Sequence, residues 1–475
     1  MRHTSRNTRA ARRTAAAGWL VLVMAGDVAQ AAIYTVTQVG DSGAGSLRQA
    51  ILDANLTVEA DQIHFAIPGA GVKTIALLSQ LPSITRTLTV DGYTQPGASA
   101  NTLATFEGGS NAVLQIEITG TGGFYGFYID AGNGVILTVQ GVNLHGFISC
   151  LLGAPVAGTS QIRSFGNFLC SNVQGDALAT GAATGYGIAT MRTPGFIGGD
   201  LPQQRNLISG CNSAGVSIDG DAQLRGNLIS GNHTFGIGVI NQSTQLHYAN
   251  LHIQGNYIGT DWQGTQAVPN GYATPNFASF GGGIQVATFN TDPTPLIIGG
   301  FQPGEGNLIA FNHGSGIKAA TNVVGEAFDS RGNAIHHNTF GGATNIDVGE
   351  FGATPNDPGD PDLGANQQQN HPVIVQVGES GGQAIVRYRV DSLPAHASYP
   401  LRIDFHAGEA DGSGAWLAQD SYPLDAAGQD REFIFSLPIG VRAFPLTAIA
   451  SSADHSSELA PVYDSLFRDG LEDVP

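Results

Sequence analysis

The feature that most restricts this chain is an asparagine that keeps returning in register. The pattern Asn-x-[Ile/Leu]-x-x-[Asn/Cys]-x-x-x-[Gly/Asp] begins at Asn167, Asn206, Asn227, Asn307 and Asn333, and Asn256-Tyr-Ile-Gly-Thr-Asp261 is a variant of it. The closest spacings are 21 residues, from Asn206 to Asn227, and 26, from Asn307 to Asn333. A period in the low twenties with short alternating apolar runs and no helical stripe is what one coil of a right-handed parallel β-helix needs. Such a coil cannot bury its apolar face alone, so coils must stack. The alternation points Val216, Ile218, Ile237, Val239 and Ile317 inward and Ser217, Gly238 and Lys318 outward. Asn suits the corners because it tolerates left-handed backbone and bonds local backbone groups, and Gly at the next corner has the same use. Amides repeated at one corner can also bond each other along the stack. A leucine-rich repeat, the competing solenoid, lacks its L-x-x-L-x-L frame here.

A solenoid exposes unpaired strand groups at both ends, and these need covers. Ser46 and Gln49 spell a capping box, and Leu47, Ala50, Ile51 and Ala54 make one apolar helix face. A short helix there can cap the first coil. Residues 32–111 are therefore read as the N-terminal cap and first coils. Residues 112–352 are the β-helix proper, with roughly ten coils and a length of about 50 Å. Residues 353–372 break the repeat with Pro355, Pro358, Pro361 and Pro372. Alternating runs at 384–390, 401–405, 432–436 and 446–449 then predict a small antiparallel β-sandwich over 373–463, followed by a tail, 464–475.

The first 31 residues have the layout of a cleavable export signal. Arg2, Arg6, Arg9, Arg12 and Arg13 precede an apolar run from Ala15 to Ala25, and Ala29-Gln30-Ala31 is an A-x-A cleavage pattern. The run is too short to span a bilayer, and no other stretch of the mature chain looks transmembrane. Losing five Arg and Asp27 takes the formal charge from -18 to -22. That balance excludes a nucleic-acid footprint and argues against unassisted binding of polyanions such as pectate or alginate. The expected protein is secreted or displayed on the cell surface, monomeric, and partnered by an extracellular glycan or surface protein. Cys150, Cys170 and Cys211 are an odd set for an oxidising compartment. A Cys150–Cys170 bridge is one reading, and buried small hydrophobes are the other.

Several segments resemble a family. Tyr34-Thr-Val-Thr37 and Asp41-Ser-Gly-Ala-Gly-Ser-Leu-Arg-Gln-Ala-Ile51 resemble the CSLREA motif that opens secreted bacterial β-helix proteins, with Gln49 for the usual Glu and no Cys. Asp61–Phe65, Val90–Gly97, Gly255–Asp261, Gly306–Ile309, Thr354–Asp362 and Leu401–Ser457 are similar to successive parts of the same family. Phe467–Glu472 resembles a short terminal sequence of secreted proteins in some gammaproteobacteria. The resemblance implies a secreted or surface-associated β-helix and brings no catalytic motif.

A β-helix polysaccharide lyase needs acidic calcium ligands beside an Arg or Lys base, which makes Lys318, Asp329 and Arg331 the catalytic candidates; solvated rim charges are the plainer reading. His233 and His313 repeat at one corner but stand about three coils apart, and His336-His337 should point to opposite faces, so neither pair makes a chelate. Asn356, Asp357, Asp360, Asp362 and Asn366 offer oxygen ligands for a structural Ca²⁺, or simply a polar linker. Trp262, Tyr257, Tyr125 and Tyr128 are the candidate glycan-binding aromatics, although packing also accounts for them. The leading functional expectation is adhesion without catalysis. A polysaccharide lyase or glycoside hydrolase, and a structural spacer, are the alternatives.

Overall fold

The computed structural model describes Met1 and residues 31–104, 106–130, 134–153, 159–175, 185–241, 250–288, 296–319, 327–408, 414–453 and 455–464. Residues 2–30 of the expected leader, 1–31, and the tail from 465 lie outside the described residues. The architecture is the expected one: a right-handed parallel β-helix followed by small antiparallel sheets. Three parallel sheets of ten, nine and eight strands form the rod. The first sheet runs from Ile33–Val36 to Phe328–Arg331, the second from Lys73–Ala76 to Ala334–His336, and the third from Phe127–Tyr128 to Ile346–Val348. Among the described residues no helix is long and apolar enough to cross a membrane.

Stacking explains why the coils hold. In the second sheet Ile75, Ile118, Leu144, Leu169, Ile208, Ile229, Ile258, Ile309 and Ile335 pair rung to rung, all at most 2% exposed. In the third, Phe127, Leu151, Ile188, Val216, Ile237, Ile284, Ile317 and Ile346 do the same. Each such side chain contributes roughly 1.5–3 kcal/mol only because its neighbours remove it from water.

The asparagines stack at one corner. Asn167, Asn206, Asn227, Asn256, Asn307 and Asn333 occupy successive rungs, each no more than 2% exposed. From Asn206 onward each Oδ1 accepts the backbone N–H of the asparagine before it, at 2.9–3.4 Å, and Asn167 Oδ1 accepts that of Val142. From Asn206 onward each Nδ2 also donates to the next Oδ1, at 2.8–3.0 Å. A second ladder, Asn232, Asn270, Asn312, Asn338 and Asn345, climbs the next corner in the same way. The backbone reasoning needs correction. No ladder asparagine is left-handed; at several rungs the preceding residue is, as in Gly226 (φ 64), Gly255 (φ 63) and Phe311 (φ 61). Gly215, Gly236 and Gly316 at the next corner are there for space instead, while Gly342 does take the left-handed conformation (φ 89). A Cβ on Gly236 would lie 2.9 Å from Asn270 Nδ2 and 2.9 Å from the Gly283 carbonyl.

Two further expectations change. The second sheet has eight strands between residues 112 and 352, so the coils are fewer than ten. The shortfall comes from insertions: 23 residues lie between Ile258 and Gly282. The disulfide joins Cys170 to Cys211, while Cys150 is free and buried. The register Leu169↔Ile208 places those two corners on adjacent rungs, whereas Cys150 sits in the third sheet.

Both ends of the rod are covered. The helix Leu47–Ala54 buries Leu47, Ala50, Ile51 and Ala54, and Ser46 Oγ accepts the Gln49 N–H. Gln49's side chain donates to Asp53 rather than back to Ser46, so only half of the capping box forms. At the other end the sandwich packs a three-stranded and a four-stranded antiparallel sheet. The expected strands are present, and Val373–Ser380 and Trp416–Tyr422 join them.

Candidate functional site

The structure does not assemble the lyase candidates. Lys318 is in the third sheet, and Asp329 and Arg331 are in the first. Lys318 takes the outward register, between Gln285 and Asp347, but is only 4% exposed. Its Nζ lies 3.7 Å from Asp347 and 4.7 Å from the Phe351 ring centre. Burial lowers the Lys318 pKa and raises that of Asp347, each partly offset by the other's charge. Asp329 is fully buried. Arg331 Nε donates to it at 2.7 Å and Arg402 of the sandwich at 2.6 Å. Arg402 also donates to the Ser330 carbonyl, so these charges fasten rod to sandwich. The histidine expectation also changes. His336 and His337 bring their Nδ1 atoms to 2.6 Å, because His337 leaves the strand in the left-handed region (φ 55).

The aromatic candidates divide into two places. Tyr125 and Tyr128 lie 5.9 Å apart beside the first strand of the third sheet. Tyr257 and Trp262 sit five coils further along. There Phe106 stacks on Tyr257 at 4.0 Å and lies 6.3 Å from Trp262. These rings cover the outer face of the second sheet, over Phe168, Leu207 and Leu228. Trp262 is half-buried packing rather than an open ledge.

Beside that cluster is a groove that the repeat pattern did not reveal. Two hollows, about 500 and about 310 Å³, share Gly199, Asp200 and Arg225; the smaller lies on the outer face of the first sheet and the larger at its corner with the second. The larger is lined by Phe106, Arg205, Gln254, Tyr257 and Glu305, the smaller by Arg163, Phe165, Phe196 and Gln223. The register Arg163↔Phe196↔Gln223↔His252 puts these side chains on one outward column. Arg163 lies over the Phe196 ring at 5.5 Å, and Arg205 over Phe106 at 4.1 Å. Arg225 is 3.3 Å from Asp200 and 3.8 Å from Glu305. The available signal was polar and aromatic residues at the outward positions of short apolar strands, legible only once the register is known.

The acidic segment does converge. Asp357, Asp360 and Asp362 each bring a carboxylate oxygen within 4.8 Å of the others. Asp360 is 3% exposed; it accepts the Asn370 N–H at 3.0 Å and the Gln369 side-chain amide at 2.6 Å. Burial pushes its pKa up to about 6, opposed by the hydrogen bonds from the Ser392 hydroxyl and the Asn370 N–H and reinforced by the neighbouring carboxylates. Asp357 Oδ1 and Asp362 Oδ1 are buried and accept no hydrogen bond among the described residues. The two amides of the expected set are used elsewhere. Asn356 pairs with the backbone of His371. Asn366 pairs with Phe328 like an eleventh strand, and donates to the Ser456 carbonyl at 2.6 Å.

No protein-family model matches the chain, and none of the curated proteins compared is similar to it. Among solved structures the chain is similar to the Dettilon tailspike protein (gp208), at 11% identity, across 90% of this chain and 94% of that one, with a TM-score of 0.24.

Proposed function

We propose that this chain is an exported β-helix protein that holds an extracellular glycan along the rod without turning it over. The groove over the first sheet carries the reading. It is long, open, and lined by guanidinium, carboxylate, amide and aromatic groups, the mixture that hydroxyl-rich ligands use. The engagement of Lys318 and Asp329 in fixed ion pairs supports binding rather than turnover. The Cys170–Cys211 bridge, the leader-like opening and the CSLREA-like segment support an oxidising, extracellular setting. The deciding experiment is a panel of polysaccharides scored for both retention and release of new ends. Retention without release is expected. Release of unsaturated or reducing ends would favour the lyase or hydrolase, and no retention at all would leave the spacer.

Asp357, Asp360 and Asp362 are proposed to hold a structural Ca²⁺ where rod meets sandwich. Three converging carboxylates with two unsatisfied buried oxygens suit a hard divalent cation, with backbone or water oxygens completing the shell. Calcium should raise the melting temperature and a chelator lower it; a melt indifferent to both rejects the site.

A further inference from the structure

We infer that the groove over the first sheet takes the carboxylates of an acidic polysaccharide. The inference rests on the glycan-binding reading above and names the ligand chemistry of that same groove.

Charge distribution is the starting point. The chain carries 38 acidic and 20 basic side chains, so an average patch of its surface is negative and repels a polyanion, as the sequence predicts; the groove is a local departure from that average. Nine basic side chains lie between residues 32 and 352, and Arg163, Arg205 and Arg225, three of them, line this groove. Among the described residues that line it, Asp200 and Glu305 are the acidic ones. The Asp200 side chain is 76% exposed, so its contact with Arg225 is a solvent-screened pair that a ligand carboxylate can replace. Arg225 itself keeps 30% of its side chain exposed. His252, next on the outward column, agrees with a positive field. Burial lowers its pKa first, then the charges of Arg225 and Arg331, with Glu305 opposing.

Spacing and surface favour a sugar polymer over an acidic peptide. Arg163 and Arg225 stand two rungs apart, roughly 10 Å along the rod. A polymer with repeated carboxylates engages both at once, and a monomeric acid only one. Between them Phe196 is partly exposed on the intervening rung; the Arg163 guanidinium, 5.5 Å over the ring, occupies one side of it, and the C–H groups of a sugar would pack on the part left open. A guanidinium meets a carboxylate through two parallel hydrogen bonds, which a lysine cannot copy.

The test uses the full mature chain in chelator, so that calcium cannot bridge, with alginate, carboxyl-reduced alginate and poly-glutamate as probes. Alginate should be retained, and more weakly as salt is raised. Carboxyl reduction and Arg225→Ala should each weaken retention about tenfold, with Arg225→Lys intermediate. Phe196→Ala, at a second outward position, should weaken alginate and leave poly-glutamate unchanged. Equal retention of alginate and its carboxyl-reduced form overturns the inference while leaving the glycan reading intact. Poly-glutamate held as tightly as alginate overturns the choice of a sugar. No polysaccharide retained at all removes both.

Discussion

At the residue scale the ladder asparagines do the most. Asn227 Oδ1 accepts from Asn206 through both backbone and side chain, and its Nδ2 donates to the Ile197 carbonyl and to Asn256. Alanine there strands several fully buried polar groups at once. We expect Asn227→Ala to destabilise the rod by about 3 kcal/mol, read as a lower denaturation midpoint. Asn227→Asp should be no milder, since a carboxylate has no N–H to give Ile197 or Asn256. The repeat made this role legible in advance, because identical residues at one period must lie above one another. The reason for the neighbouring glycines was not legible: in sequence, a glycine needed for space looks like a glycine needed for its backbone angle.

At the element scale each coil is a strand triplet whose inserted loops vary while the stacked strands do not. That variation defeats pairing by sequence distance. Cys170 and Cys211 are 41 residues apart yet one rung apart, with the segment after the second-sheet strand Phe168–Leu169 taking up the difference. Peptide mapping under non-reducing conditions should recover Cys170 joined to Cys211. Cys150, whose thiol burial pushes up to about 12, should react with thiol reagents only after unfolding. Reducing the bridge should cost about 2–4 kcal/mol of stability. The cap helix was the element most readable from sequence. Its four inward residues sit at helical spacing, and local hydrogen bonding needs no knowledge of the rest of the chain.

For the whole molecule the sandwich acts as the second cap. Glu458 is 6% exposed, and its two oxygens accept the N–H groups of Val348 and Thr354, closing the end of the third sheet. Burial pushes its pKa to about 7 despite those two hydrogen bonds. A carboxyl group raised on folding binds more protons folded than unfolded, so its contribution is complete below about pH 4.5 and is lost as pH rises through 7. The melting temperature of the native chain should therefore fall relative to Glu458→Gln over that interval. Parallel curves for the two proteins would show that Glu458 does not titrate there.

The repeat alone was enough to dictate stacked coils, a dry aliphatic interior and an amide spine, because period and alternation leave one way to bury those side chains. It could not say which distant residues share an outward column, since register depends on the lengths of loops that carry no periodic signal. Lys318, Asp329 and Asn366 looked free for chemistry in the sequence, and folding spent them on ion pairs and edge closure at the end of the rod. The groove arginines stood 42 and 20 residues from one another along the chain, at 163, 205 and 225, and only the winding of the coils set them side by side.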